Sequence, residues 1–239
     1  MTDAPFDSAQ HYATLRSGLI ELGESLTDEQ ADTTCVACPD WTIREVYAHL
    51  VGTPADILSG RLEGVTTDPW TQQQVDDRAD DSLAQILEEW KAITPATDEA
   101  LAAMGDEMDA RFYIDVWSHD QDIRGTLATP GPVDPAFISN HASNVGQLMV
   151  RQAGTDGGPG PLTVTIDGKT YANADLADDS RPSAKLTLSG FEAMRALTGR
   201  RSAAQLAAME WDTNRAEPSH WFDALTVFSL AQHDVIDAT

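Results

Sequence analysis

The stretch FYIDVWSHDQDIRG, residues 112–125, has the spacing of a helix but carries polar residues where a core would take leucine. At about 100° per residue, Phe112 and Val116 fall on one side of that helix. His119 lies inside the same arc, and Asp115 lies about 60° from Phe112 on the same side. An ionised carboxylate that faces a helix-bundle interior is costly unless it is paired or bound to a metal. The stretch therefore predicts an interior helix with a polar pair.

Two interpretations of this pair stay open on the residues alone. One is structural: Asp115 forms a buried hydrogen bond with His119 or pairs with an arginine of another helix. The other is a metal site, for which His49, at the edge of the apolar stripe of an earlier helix, is a candidate third ligand. Two ligands four residues apart on one helix and a third from a neighbouring helix are common in metal-binding bundles.

Helical periodicity recurs on both sides of this stretch. The predicted helices cover about 8–24, Thr42 to beyond His49, a segment from about Ser82, about 109–127 and about 134–151. The second helix begins at a capping box, in which the side chains of Thr42 and Glu45 satisfy backbone N–H groups. Residues 64–80, GVTTDPWTQQQVDDRAD, are polar and unpatterned, which indicates a long crossover.

The periodicity changes after AGTDGGPGP, residues 153–161, whose composition is typical of a linker or loop. The residues on both sides of Asp167-Gly168 alternate in polarity, which indicates a β-hairpin. AKLTLS, residues 184–189, predicts another strand. Two short helices and a final helix over residues 220–235 are predicted to follow.

The fold class predicted from these elements is α followed by α+β. Residues 1–152 are expected to form a four-helix bundle with a long crossover, together with one further helix. Residues 160–239 are expected to form a small α+β domain. The chain is long enough for two hydrophobic cores of this size.

The net charge of −24 limits the classes of partner. Binding to nucleic acid needs clustered cations, and docking on anionic lipid needs a basic surface, so neither is expected. The chain lacks the run of about 18 apolar residues that a membrane span needs, and its start has no signal-peptide pattern. We expect a cytoplasmic protein that is a monomer or a homodimer.

The two cysteines, Cys35 and Cys38, have the C-x-x-C spacing of redox and zinc motifs. A structural zinc site needs four ligands, and the chain has no second pair. The surrounding CVACPD has the composition of a loop that Pro39 closes. We interpret the two residues as a loop thiol pair.

Two of these stretches resemble the mycothiol-dependent maleylpyruvate isomerase family, which is part of the wider group of DinB-like metal-binding bundles. They are CPDWTIREVYAHLVG, residues 38–52, and DVWSHDQDIRG, residues 115–125. The C-terminal stretches T-L-S-G-F and T-G-R-R-S are similar to the small, sterol-carrier-like domain of such isomerases. The resemblance covers most of the chain and implies a DinB-like bundle with a C-terminal domain that closes over a cleft.

The resemblance implies that His49, Asp115 and His119 bind a divalent metal, which in the family is usually zinc. The isomerase has glutamate where this chain has Asp115, so the site must be tighter or the metal must differ. Three protein ligands leave a fourth position open. In the family this position serves mycothiol, and another small thiol would serve in a host without mycothiol.

The function implied by the resemblance is addition of a metal-bound thiolate to a small-molecule electrophile. In an isomerase the thiolate adds to the cis double bond of maleylpyruvate and leaves after rotation. In a thiol S-transferase, acting in detoxification, it stays attached. Neither reaction needs a nucleophile from the protein.

Anionic substrates need local cations in so acidic a protein. The candidate substrate-binding residues are Arg200 and Arg201, at a turn in the predicted C-terminal domain. The alternative interpretation is that both are solvated residues of the protein surface. His141 is expected in the core or at the cleft.

Two other classes of function remain open. One is a non-catalytic protein that binds a metal and carries an apolar ligand in its C-terminal domain. The other is a metal-dependent hydrolase that uses metal-bound water on the same bundle. Metal analysis and thiol dependence would discriminate among the three.

Overall fold

The structure is a computed structural model that describes residues 6–105, 108–173 and 181–238. Its contacts divide the chain into two compact units. The first comprises residues 1–132 with 237–239, and the second comprises residues 133–236. No helix in the described ranges is long and apolar enough to cross a bilayer.

The first unit is helical. Its helices are α1 (Ser8–Ser25), α2 (Asp28–Ala31), α3 (Ile43–Ser59), α4 (Asp68–Asp76), α5 (Leu83–Met104) and α6 (Ala110–Leu127). Helices α1 and α3 each contact both α5 and α6, so the four long helices form a bundle. Tyr12, Ile43 and Trp90 are among the side chains that are fully buried in this unit. The predicted N-terminal helical region is confirmed.

The start of α3 is fixed by the predicted capping box. Thr42 accepts a hydrogen bond from the backbone N–H of Glu45, and the Glu45 carboxylate accepts one from the N–H of Thr42 at 2.6 Å. Pro54 lies inside α3 and does not end it. This cap sets where His49 stands on the helix.

Residues 64–80 lie in the predicted long crossover, which joins α3 to α5, but the segment is not irregular throughout, because α4 lies within it. The helix has Pro69 in its first turn, where a missing N–H costs no helical hydrogen bond. It packs on α3 and buries Trp70, Gln74 and Val75. Only three of its nine residues are buried, and one of them is polar. The helix therefore lacks the repeated apolar residues from which a helix is recognised in a sequence.

The second unit combines helices with a mixed sheet. Its elements are α7 (Pro135–Ala153), β1 (Leu162–Ile166), β2 (Lys169–Ala172), β3 (Ser183–Leu188), α8 (Gly190–Leu197), α9 (Ala203–Ala207), β4 (Glu210–Asn214) and α10 (Phe222–Leu225). The strand order is β2-β1-β3-β4, in which only β1 and β3 are parallel. The predicted α+β part is confirmed.

The predicted hairpin at Asp167-Gly168 joins β1 to β2. Both turn residues have positive φ, 49° and 81°, which is the geometry of the tightest hairpin turns. Helix α7 packs on β1, β2 and α8. The contacts therefore place the boundary between units before α7, whereas the sequence places the end of the bundle domain at residue 152.

The prediction of a final helix over residues 220–235 is wrong. A 3₁₀ turn over Pro218–Trp221 leads into the four residues of α10, and no helix follows among the described residues to 238. The Thr226 hydroxyl accepts the N–H of Phe228 and donates to its carbonyl oxygen. Such local bonds between side chain and backbone compete with helix continuation.

Candidate metal centre

The three residues predicted as metal ligands lie together in the first unit. His49 extends from α3, and Asp115 and His119 extend from α6. The Nε2 atom of His49 is 3.1 Å from Asp115 Oδ2, and the Nε2 atom of His119 is 3.6 Å from Asp115 Oδ1. One possible ligand atom from each residue lies within 4.8 Å of the others. We call this group the histidine–aspartate set.

Burial differs within the histidine–aspartate set. The imidazoles of His49 and His119 are only 4% and 5% exposed, whereas the Asp115 side chain is 35% exposed. The ring of Trp41 lies over both imidazoles, with centroid distances of 5.3 Å and 6.4 Å. The Asp115 carboxylate is therefore the part of the set that faces solvent most.

A hydrogen-bond relay fixes the proton of His49. Its Nδ1 atom lies 2.7 Å from Gln74 Oε1. The amide nitrogen of Gln74 donates to Asp56 Oδ2 at 2.8 Å, which leaves Oε1 as the acceptor for His49. When this imidazole is neutral, its proton lies on Nδ1 and the lone pair on Nε2 faces Asp115.

His119 also has a carboxyl group beside its Nδ1 atom. Its Nδ1 atom lies 3.2 Å from an oxygen of Asp122, whose side chain is fully buried. A His119 proton on Nδ1 would face this carboxyl group, which can accept it. The lone pair on its Nε2 then points toward the other oxygen of Asp115.

These two tautomers bring three acceptors together: two imidazole lone pairs and one carboxylate. Such an arrangement is unfavourable unless a positive charge lies among them. Two imidazole nitrogens and one carboxylate oxygen suit zinc and similar divalent cations, and they leave a fourth position for a further ligand. Partners on the far ring nitrogen are also typical of histidines that bind metals. The residues present therefore fit a divalent cation.

Gly52 allows Gln74 to reach His49. A Cβ atom at position 52 would lie 2.4 Å from Gln74 Cβ, which is closer than side chains tolerate. Helix α4 can therefore pack closely against α3 only because residue 52 is glycine.

A second set of possible ligands shares His119. Cys38 Sγ lies 3.8 Å from His119 Nδ1 and donates to Asp122 Oδ2 at 3.5 Å. The ligand atoms of Cys38, His119 and Asp122 also lie within 4.8 Å of one another, so this cysteine–histidine–aspartate set could hold a metal ion. The two sets use opposite nitrogens of His119 and therefore require opposite tautomers.

Sequence reasoning missed Gln74 and Asp122, and it considered a zinc role for Cys38 but interpreted this residue as part of a loop thiol pair. Asp122 has the clearest signal, because it lies three residues after His119 and therefore on the same side of the helix. Cys38 comes close to α6 only through the tertiary fold.

The residues singled out in the C-terminal part lie in the second unit. Arg201 is buried, and its guanidinium pairs with Glu192 at 2.6 Å and 2.8 Å. Arg200 donates to the carbonyl oxygen of Thr198. A substrate role for either arginine stays a prediction. His141 is buried in α7, with its ring 4.4 Å from that of Phe137.

Comparison with known proteins agrees with the resemblance. Residues 12–129 match the family model for the mycothiol maleylpyruvate isomerase N-terminal domain. A search of curated proteins and a search of solved structures both found no match. The matched range contains both ligand sets and the glutamine that orients His49. Residues 12–129 therefore form a mycothiol maleylpyruvate isomerase N-terminal domain.

Proposed function

We propose that this protein is an enzyme of the maleylpyruvate isomerase type that depends on a divalent metal, with zinc as the first candidate, and on a small thiol. The observation that carries the proposal is the convergence of the Nε2 atoms of His49 and His119 on the carboxylate of Asp115. Membership of the family supports the reaction class. The two predicted co-reactants are a thiol, mycothiol or another of low molecular weight, and an electrophile with a cis double bond.

Each residue of the site has a definable task. Gln74 and Asp122 hold the Nδ1 protons of the two histidines and so keep both Nε2 lone pairs available. Trp41 covers the imidazoles on one side, while the exposed edge of Asp115 leaves room for reactants. A divalent cation, when bound, supplies the Lewis acidity that favours the thiolate form of a small thiol near neutral pH.

The shorter side chain of Asp115 has a consequence for this site. Compared with glutamate, aspartate reaches one methylene less far from α6. The observed distances of 3.1 Å and 3.6 Å show that its carboxylate nevertheless meets both imidazoles. The substitution therefore leaves all three donors within reach of one cation.

The direct test is the isomerisation of maleylpyruvate by zinc-loaded protein, with mycothiol, glutathione and cysteine as thiols. We expect turnover that needs both the metal and one of the thiols. A chelator should abolish it, and added zinc should restore it. The His49→Ala variant, measured at the same concentration, should lose activity because it lacks one ligand.

The outcomes separate the possible functions. Metal-dependent isomerisation that is equally fast without thiol would contradict the proposal, and metal-dependent cleavage of the substrate by water would indicate a hydrolase. A thiol adduct that accumulates without isomerisation would assign thiol transfer instead. Bound metal with neither reaction would indicate a binding protein.

A further inference from the structure

The two cysteines lie at the ends of one tight turn that precedes α3. The backbone N–H of Cys38 donates to the carbonyl oxygen of Cys35 at 3.1 Å. The backbone N–H of Cys35 donates to the carbonyl oxygen of Trp41 at 2.8 Å. A turn of this kind holds its first and last Cα atoms within about 7 Å, which overlaps the range of about 4.4–6.8 Å that disulfides span. The turn can therefore close a disulfide with little backbone movement.

The two cysteines differ in their access to solvent. Cys35 is fully buried, whereas Cys38 is partly exposed. A reagent from solution can thus reach Cys38, whereas Cys35 is shielded from the reagent by its burial. This division is typical of pairs in which one cysteine attacks a disulfide and the other resolves the mixed disulfide.

Cys38 also links the turn to the polar cluster of α6. Its thiol donates to the buried carboxylate of Asp122, an oxygen of which lies 3.2 Å from His119 Nδ1. The sulfur that a small molecule can reach is therefore next to the histidine that both ligand sets share. The function proposed for the histidine–aspartate set gives the two thiols no redox role.

We infer that Cys35 and Cys38 form a thiol–disulfide exchange site that reacts with disulfides of low-molecular-weight thiols. The Cys38 sulfur, after releasing its proton to water, attacks one sulfur of the small disulfide. The bond from Cys38 to that sulfur forms as the small disulfide bond breaks, and the other half leaves as a thiolate that takes up a proton. Cys38 then carries a mixed disulfide.

The second step transfers the disulfide to the turn. The Cys35 sulfur loses its proton, attacks Cys38 Sγ and displaces the remaining small thiolate, which takes up a proton. Two protein thiols have been oxidised to one disulfide, and one small disulfide has been reduced to two thiols. The oxidised turn no longer offers a Cys38 S–H to Asp122. The exchange needs no metal, so it can fail or succeed independently of the proposed function.

The test is intact-mass spectrometry of the full-length protein after incubation with glutathione disulfide in buffer that contains a chelator. Wild-type protein should lose the mass of two hydrogens and retain no glutathionyl group. Cys35→Ser should retain one glutathionyl group, which peptide mapping places on Cys38. Cys38→Ser should stay unmodified, because Cys35 is buried.

Two results would overturn the inference. One is wild-type protein of unchanged mass under conditions that fully modify a short cysteine peptide. The other is faster modification of Cys35 in Cys38→Ser than of Cys38 in Cys35→Ser, with both variants folded by circular dichroism. Should a serine variant fail to fold, the wild-type mass and mapping of its disulfide peptide decide alone.

Discussion

Replacement of His119 by alanine is expected to abolish tight binding of a divalent cation. His119 belongs to both ligand sets, so among the described residues no set of three protein donors remains at this site in the variant. Changes to partners outside the ligands typically cost about 10–100-fold in metal affinity, and the loss of a ligand should exceed about 100-fold. Calorimetric titration of metal-free protein with zinc measures the difference.

The matched control for this variant is His233→Ala. His233 is exposed and lies far along the chain from both sets, so its loss should leave zinc affinity unchanged. Far-ultraviolet circular dichroism should show that the helices are kept in both variants. A His119→Ala protein that is folded and binds zinc as tightly as wild type would place the cation elsewhere.

Replacement of Arg124 by alanine is expected to cause the largest loss of stability among the predictions. Arg124 Nε lies 2.8 Å from Asp120 Oδ1, and the Asp120 side chain is only 2% exposed. Burial raises the pKa of Asp120, and the charge of Arg124 opposes that rise. Removing one partner of a buried ion pair costs about 3–5 kcal/mol. For a chain of this size the melting temperature should fall by about 6–20 °C.

The same helix provides the control. Arg111 pairs with Asp109, but both side chains are more than half exposed, so Arg111→Ala should cost only about 0–1 kcal/mol. Equal melting shifts for the two variants would contradict the stabilising role of the buried pair.

The effect of Arg124→Ala should also depend on pH in a defined direction. Without the arginine, the pKa of Asp120 in the folded protein rises further above its unfolded value. A carboxyl group with a raised folded pKa destabilises the protein above that pKa, and the penalty is relieved as the pH falls through it. Thermal melts from neutral to acidic pH should therefore bring the variant closer to wild type, and Asp120→Asn in the variant should do the same at neutral pH.

Local signals predict the helices that carry the histidine–aspartate set. The apolar spacing of α6 places Asp115 and His119 on its inner side, and the capping box at Thr42 places the start of α3. These features depend on residues at most four apart, which a sequence displays directly. That His49 meets the other two residues is a tertiary fact. The residues alone make His49 a candidate third ligand, and the family resemblance turns that candidate into a prediction.

The partners that orient the histidines are harder to predict. Gln74 is the last of three consecutive glutamines, and the sequence alone does not distinguish which one faces α3. Gln74 faces His49 because α4 packs closely against α3 at Gly52, and no local sequence pattern predicts this packing. Cys38 likewise lies in a turn, and the approach of its sulfur to Asp122 depends on the packing of α6.

The C-terminal part shows the same limit. The alternation around Asp167-Gly168 predicts the hairpin because both strands are adjacent in the chain. The apolar spacing of α7 predicts a helix, but it does not show whether the apolar side of that helix packs on a bundle or on a sheet. Its contacts with β1 and β2 answer that question.

The claim that His49, Asp115 and His119 jointly hold the cation is tested most directly by the absorption spectrum of cobalt(II)-loaded protein. We expect visible bands of cobalt bound by nitrogen and oxygen, with no charge-transfer band from sulfur to cobalt. The spectrum should be unchanged in Cys38→Ser and lost in His49→Ala. A near-ultraviolet sulfur-to-cobalt band that persists in His49→Ala and vanishes in Cys38→Ser would place the cation in the cysteine–histidine–aspartate set and contradict the claim.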